Sequence, residues 1–149
     1  MFVRLQAEPF DPGAETNAFL AERADTGALA TFVGNVRSSP DALVDTLTLE
    51  HYPALAQKQI EQFAAEAATR FHLADIGVIH RFGTLRRGEV IVMVLALAAH
   101  RQAAFDGANY VMDWLKTDAP FWKSEKGPEG TSWVSAKSSD AAAKQKWEK

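Results

Sequence analysis

The spacing of apolar and polar positions divides the chain into two kinds of segment. Alternation, or a run of strand-forming residues, marks positions 2–5, 28–36, 47–52, 76–82 and 89–98 as strands. The last of these is almost wholly apolar, which predicts a central strand. Positions 121–125 and 133–137 read as two more short strands around the turn Gly127-Pro128-Glu129-Gly130.

Helical spacing accounts for the rest. Asp11-Pro12 opens a helix that should run to about residue 22, since Asp is a good N-cap and Pro suits a first helical turn. Pro53 starts a long helix to about residue 71, with Leu55, Ile60, Phe63, Ala64 and Ala67 as its apolar stripe. A third helix spans 101–116 with Ala104, Phe105, Ala108, Met112 and Leu115 facing inward, and Pro120 prevents it continuing much past Asp118. Residues 83–88, with two glycines, read as a hairpin connection. Residues 140–149 suggest a polar, frayed helix.

The order β-α-β-β-α-β-β-α-β-β lacks the strict alternation of a doubly wound sheet. It predicts an α+β fold with a mainly antiparallel sheet. At 149 residues the chain suits one domain, with about 138–149 as a polar C-terminal tail.

A net charge of −3 gives no general attraction to nucleic acid or an anionic membrane, so any anion site must be a local cluster. The N-terminal residues have no apolar run of signal-peptide length, and the longest apolar stretch, 90–99, is too short to span a bilayer. A soluble, cytoplasmic protein is expected. With no cysteine, the chain can carry neither a thiolate metal site, nor a thiol nucleophile, nor a persulfide. Any sulfur chemistry would need sulfur brought by another molecule.

Several clusters remain as candidate chemistry. His100-Arg101 sits where an apolar strand gives way to a helix, beside free backbone N–H groups, and can cradle an anion. A helix cap and a surface ion pair explain it equally well. Lys116 and Lys123 flank a helix end and a proline break that can fold both amines toward one point. Paired ammonium groups disfavour each other's charge, so one can become an acid–base group or nucleophile. The simpler alternative is that Lys116 complements the helix dipole and Lys123 covers a tryptophan. Asn35-Val36-Arg37 offers an amide and a guanidinium at a strand end. His51 reads as solvent-facing, and His72 and His80 carry still weaker signals. Nothing has the spacing of a metal site, a dinucleotide loop or a serine nucleophile, and no cofactor is expected.

Taken together, TFVGNVR (31–37), LTLEHYP (47–53), VIHRFGTLRRGE (78–89), AAHRQAAF (98–105) and MDWLKTDAPFWKSE (112–125) resemble the large, catalytic subunit of the molybdopterin synthase family. Pro128-Glu129-Gly130 followed by Trp133-Val134 extends the likeness. The resemblance implies an α/β hammerhead-type fold and a homodimer within a heterotetramer. The partner would be a small ubiquitin-like sulfur carrier, whose C-terminal Gly-Gly thiocarboxylate delivers sulfur to cyclic pyranopterin monophosphate. By the same resemblance Lys116 and Lys123 are catalytic. Asn35, Val36, Arg37, His100, Arg101, Lys116, Lys123, Ser124 and Glu125 bind substrate, and Phe32 helps shape the pocket. Lys137 stands where many relatives carry an arginine, and it cannot form the same bidentate fork. The region of Phe121 and Trp122 is the expected partner contact. Two other readings stay open: a non-catalytic scaffold for a ubiquitin-like protein, favoured if the two lysines are exposed and far apart, and a phosphate-ligand enzyme of another class.

Overall fold

A computed structural model describes residues 1–134 and 138–148. It orders them as β1 (Phe2–Gln6), α1 (Pro12–Leu20), β2 (Ala28–Asn35), β3 (Thr46–His51), α2 (Pro53–Arg70), β4 (Asp75–Arg81), β5 (Gly83–Arg86), β6 (Val90–Ala98), α3 (Arg101–Thr117), β7 (Phe121–Gly127), β8 (Gly130–Val134) and α4 (Ser138–Gln145). The strands form two four-stranded sheets, β1-β4-β6-β2 and β5-β3-β7-β8. Within them only β1 and β4 pair in parallel. The α+β class with mainly antiparallel pairing holds, in two sheets instead of the single one expected.

The second sheet exists because residues 83–86 form a strand, which corrects the expectation of a bare hairpin connection. Leu85 pairs opposite Leu47 and is fully buried, while the Thr84 hydroxyl meets that of Thr48 at 3.0 Å. Gly83, at φ +87°, occupies left-handed backbone that other residues enter at a cost, and it turns the chain from the first sheet into the second.

The first sheet is covered on both faces. Ile60, Ala64 and Ala67 of α2 and Ala104, Val111 and Leu115 of α3 pack on Val78, Val94 and Ala96, while Phe19 of α1 packs on Ile79, Met93, Leu95 and Leu97 of the opposite face. β6 is therefore apolar throughout, as a doubly covered strand requires. The inner face of the second sheet buries Leu47, Leu49 and Leu85 with Val36 and Val44.

Four helical expectations need adjusting. Helix α1 stops at Leu20 because Glu22 turns into left-handed backbone at φ +60°. In α2 the buried face runs through Ala56 and leaves Leu55 45% exposed, since adjacent helical positions point about 100° apart. In α3 Phe105 is 58% exposed and is not part of the core. The C-terminal segment is docked, not frayed: Trp147 Nε1 donates to Asp113 Oδ2 at 2.6 Å, and its ring packs edge-on to Phe71 and Tyr110. No helix among the described residues is long and apolar enough to cross a membrane.

Candidate active site

The strand period of β7 sorts its side chains into two sets. Phe121, Lys123 and Glu125 lie opposite His51, Leu49 and Leu47 of β3, on the face that contributes to the buried cluster. Trp122 and Ser124 lie opposite Glu50 and Thr48, on the outer face, where Trp122 is 41% exposed and meets Tyr52 edge-on at 4.6 Å. The two rings expected to contact a partner are thus divided: Phe121 is inside and Trp122 outside. The Ser124 side chain likewise points away from Lys123.

Lys116 is in the last turn of α3, as the position of Pro120 predicts. It approaches Lys123 closely enough to affect its titration. Burial first, then repulsion from Lys116, push the Lys123 ammonium down from 10.5 to about 8, while the carboxylates of Asp140 and Glu125 pull the other way. Asp140 reaches this position from the first turn of α4.

The neighbouring wall is aromatic. His80, at the end of β4, stacks on Phe121 with centroids 4.2 Å apart and planes 15° apart. The ring of His51 stacks against the same phenylalanine at 5.7 Å and against Phe82 at 4.3 Å. His80 is buried, and its Nδ1 lies 2.8 Å from the Arg81 carbonyl oxygen. A carbonyl can only accept, so Nδ1 carries the proton and donates it. Burial holds the His80 imidazole down at about 4, assisted by repulsion from Lys123, Lys116 and His51 and opposed by the Arg81 bond. His51 is also lowered by burial. Both lysines therefore face aromatic surface whose imidazoles remain uncharged at neutral pH, a setting suited to holding an anion and exchanging protons with it.

The other expected residues divide by position. Val36 is buried beside Leu47, Leu49 and Leu85, which sets the chain of Asn35, Val36 and Arg37 against the same inner face as Lys123; Asn35 and Arg37 themselves are exposed. Phe32 and Lys116 line one cavity of about 320 Å³ together with Phe105, Asn109 and Met112. Glu125 also lines a separate opening of about 380 Å³ bounded by Asp41, Leu43 and the β7–β8 turn.

His100 and Arg101 are elsewhere. His100 caps the start of α3 through backbone only, with no side-chain cap bond, and Arg101 is the first helical residue. Fifteen residues of helix, at 1.5 Å each, separate Arg101 from Lys116, roughly 22 Å. Strand pairing gives the same answer: Ala28 is opposite Ala98, next to His100, whereas Asn35 is opposite Val90, about 23 Å further along. Within one chain these residues do not share a pocket with the lysines. Lys137 lies outside the described residues.

Sequence reasoning undervalued His80 and His51, and did not single out Asp140. The available signal was a histidine directly following the apolar run of residues 76–79 within one strand, and a histidine alternating with Leu47 and Leu49 in β3.

The MoaE protein family model matches residues 5–118. The chain is similar to the molybdopterin synthase catalytic subunit of Pseudomonas aeruginosa, 49% identical over 149 residues and 99% of each chain. It is similar in structure to the molybdopterin biosynthesis MoaE protein of Burkholderia ambifaria MC40-6, with a TM-score of 0.83 and 46% identity over 99% of this chain and 98% of that one. A protein–protein complex of subunits 1 and 2 of molybdopterin-converting factor from Helicobacter pylori 26695 shares the fold, with a TM-score of 0.75 at 20% identity over 91% and 92% of the two chains.

Proposed function

The chain belongs to the MoaE protein family, and from that premise we propose that it is the catalytic subunit of a molybdopterin synthase. Its reaction is sulfur transfer in molybdopterin synthesis. The donor is the thiocarboxylated Gly-Gly tail of a small ubiquitin-like partner, and the acceptor is cyclic pyranopterin monophosphate. A chain without cysteine can catalyse this because the sulfur belongs to its partner's tail.

The observation that carries this reading is the buried Lys123, its pKa lowered to about 8, beside Lys116 in the last turn of α3. A thiocarboxylate and a phosphate are both anions, and their reaction passes through further anionic species. Lys116 supplies positive charge, and Lys123, with its pKa lowered to about 8, supplies or accepts a proton. Arg37 extends the positive surface for pterin or phosphate oxygens. The Ser124 side chain points outward and its backbone is paired with β3 on one side and β8 on the other, so in this reading other groups hold the extended tail. His100 and Arg101 serve a neighbouring copy in the homodimer, because roughly 22 Å of helix separates them from Lys116 of their own chain.

The deciding experiment mixes the protein with a thiocarboxylated ubiquitin-like partner and cyclic pyranopterin monophosphate, and follows molybdopterin by mass spectrometry. Wild-type protein is expected to form product. Lys116→Ala should lower the rate by about a hundredfold or more while retaining partner binding. Partner binding by the wild type without product would favour a non-catalytic scaffold, and full activity of Lys116→Ala would remove that lysine from the mechanism.

A further inference from the structure

His80 is a buried titratable side chain at this site to which the reaction above gives no part. Its backbone is among the most firmly held here, because it pairs with Val92 of β6 on one side and Leu5 of β1 on the other. Its ring is fixed too: the Nδ1–H bond to the Arg81 oxygen limits rotation, and one face lies flat on Phe121.

The strand it touches is held on one side only at its start: among the described residues Phe121 and Trp122 pair with β3 alone, and β8 joins from Lys123 onward. β7 begins directly after the break at Ala119-Pro120, and its first residue is Phe121. Lys123 follows two residues later on the same face, one strand repeat or about 7 Å away. The Phe121 ring therefore acts together with the pairing of Lys123 to Leu49 and Val134 in setting where the Lys123 stem leaves the backbone. The charged or titratable groups facing this arrangement are Lys116 from α3, His51 from β3, Asp140 from α4 and Glu125 from β7 itself.

We propose that His80 is a positioning residue for Lys123: by stacking on Phe121 it clamps the start of β7 against the first sheet and keeps the lysine amine buried beside Lys116. The imidazole works as an uncharged plate at neutral pH, so it excludes water from the amine without adding a third positive charge. It does not itself touch the reacting atoms. The inference rests on the reading of Lys123 as the working amine.

The test measures Lys123 on the protein alone, by the pH midpoint of amine acylation at that residue, read by peptide mass spectrometry. The wild-type midpoint is expected near 8. In His80→Ala the clamp is lost, the amine is hydrated, and the midpoint should rise by at least one pH unit toward the ordinary lysine value. His80→Phe restores a flat ring without the nitrogens and should bring the midpoint back. Phe121→Leu removes the same stack from the other side and should raise the midpoint likewise, with circular dichroism showing that the variant read is folded.

A midpoint unchanged in His80→Ala or in Phe121→Leu overturns the proposal. So does a His80→Phe variant that behaves like alanine, because the imidazole nitrogens would then be what matters. Neither pterin nor partner enters the measurement, so the two readings fail separately. Shifted and rescued midpoints in a protein that forms no molybdopterin would retire the synthase reading alone, while product formation with unshifted midpoints would retire the positioning role alone.

Discussion

At the scale of single residues, burying Lys123 beside Lys116 works against stability. Lys123 is held with its pKa near 8, below the 10.5 of an unfolded chain, so at pH 7 the folded protein carries an ammonium in a setting that disfavours it. That difference has an upper bound of about 3 kcal/mol, and partial contact with solvent reduces it. Lys123→Met is therefore expected to raise the unfolding free energy at pH 7 by about 1–2 kcal/mol while abolishing turnover, measurable by urea titration. The sign follows from proton binding. Between about pH 8 and 10.5 the unfolded chain holds a proton that the folded one has released, so wild-type stability increases with pH and the advantage of the variant should shrink across that window. An advantage that stays constant from pH 7 to 10 would show that Lys123 is not strained. His80 follows the same arithmetic at lower pH: its folded pKa of about 4 lies below the unfolded 6.5, so stability is lost as pH falls through that interval.

At the scale of elements, the sequence was readable wherever a period ran long enough to repeat. The apolar run of β6, the helix opened by Pro53 and the break at Pro120 each state their structure through several residues that agree. Residues 83–86 did not, because four positions hold only two alternations, and a glycine at the first of them with another at position 88 makes the same stretch look like a turn. Lys116 and Lys123 could be singled out because a helix end and a proline restrict where they go. His80 could not, because its importance comes from Phe121, a residue 41 positions later that reaches it only when the two sheets meet.

The C-terminal segment is a similar case. Its composition is polar, yet Trp147 anchors it: the indole N–H bonds Asp113, its ring meets Phe71 and Tyr110, and Arg70 donates to its carbonyl oxygen at 2.7 Å. Nearby, Lys144 pairs with Asp118 at 2.6 Å and lies over the Trp114 ring, bracing the end of α3 that carries Lys116. Trp147→Ala should cost about 2 kcal/mol, less than a fully buried tryptophan because the ring is only half-buried. Amide hydrogen exchange should show the loss concentrated in α4 and the last turns of α3. A variant as stable as the wild type would mean that the segment merely rests on the surface.

At the scale of the whole molecule, the separation of the two basic clusters is the geometric fact that a complete account must accommodate. Arg101 and Lys116 lie at opposite ends of a rigid helix, roughly 22 Å apart, too far for one pterin phosphate to bridge. Two copies related by a twofold axis remove the difficulty, because a symmetric pair can present the start of α3 from one copy to the end of α3 in the other. The exposed Phe32, Val33 and Phe105 leave apolar surface along β2 and α3 for such a contact. This arrangement makes a prediction that a single-chain site does not. Lys116→Ala and Arg101→Ala should each be inactive alone. A mixed dimer, however, would hold one site with both side chains intact and one with neither. Random reassortment makes about half the dimers mixed, each with one working site of two, so the mixture should recover about a quarter of wild-type activity. Recovery near that fraction would establish that the two clusters cooperate across the dimer. If mixing recovers nothing although subunit exchange is verified by native mass spectrometry, Arg101 acts on its own side of the molecule, and the anion site beside the lysines must be completed by Arg37 alone.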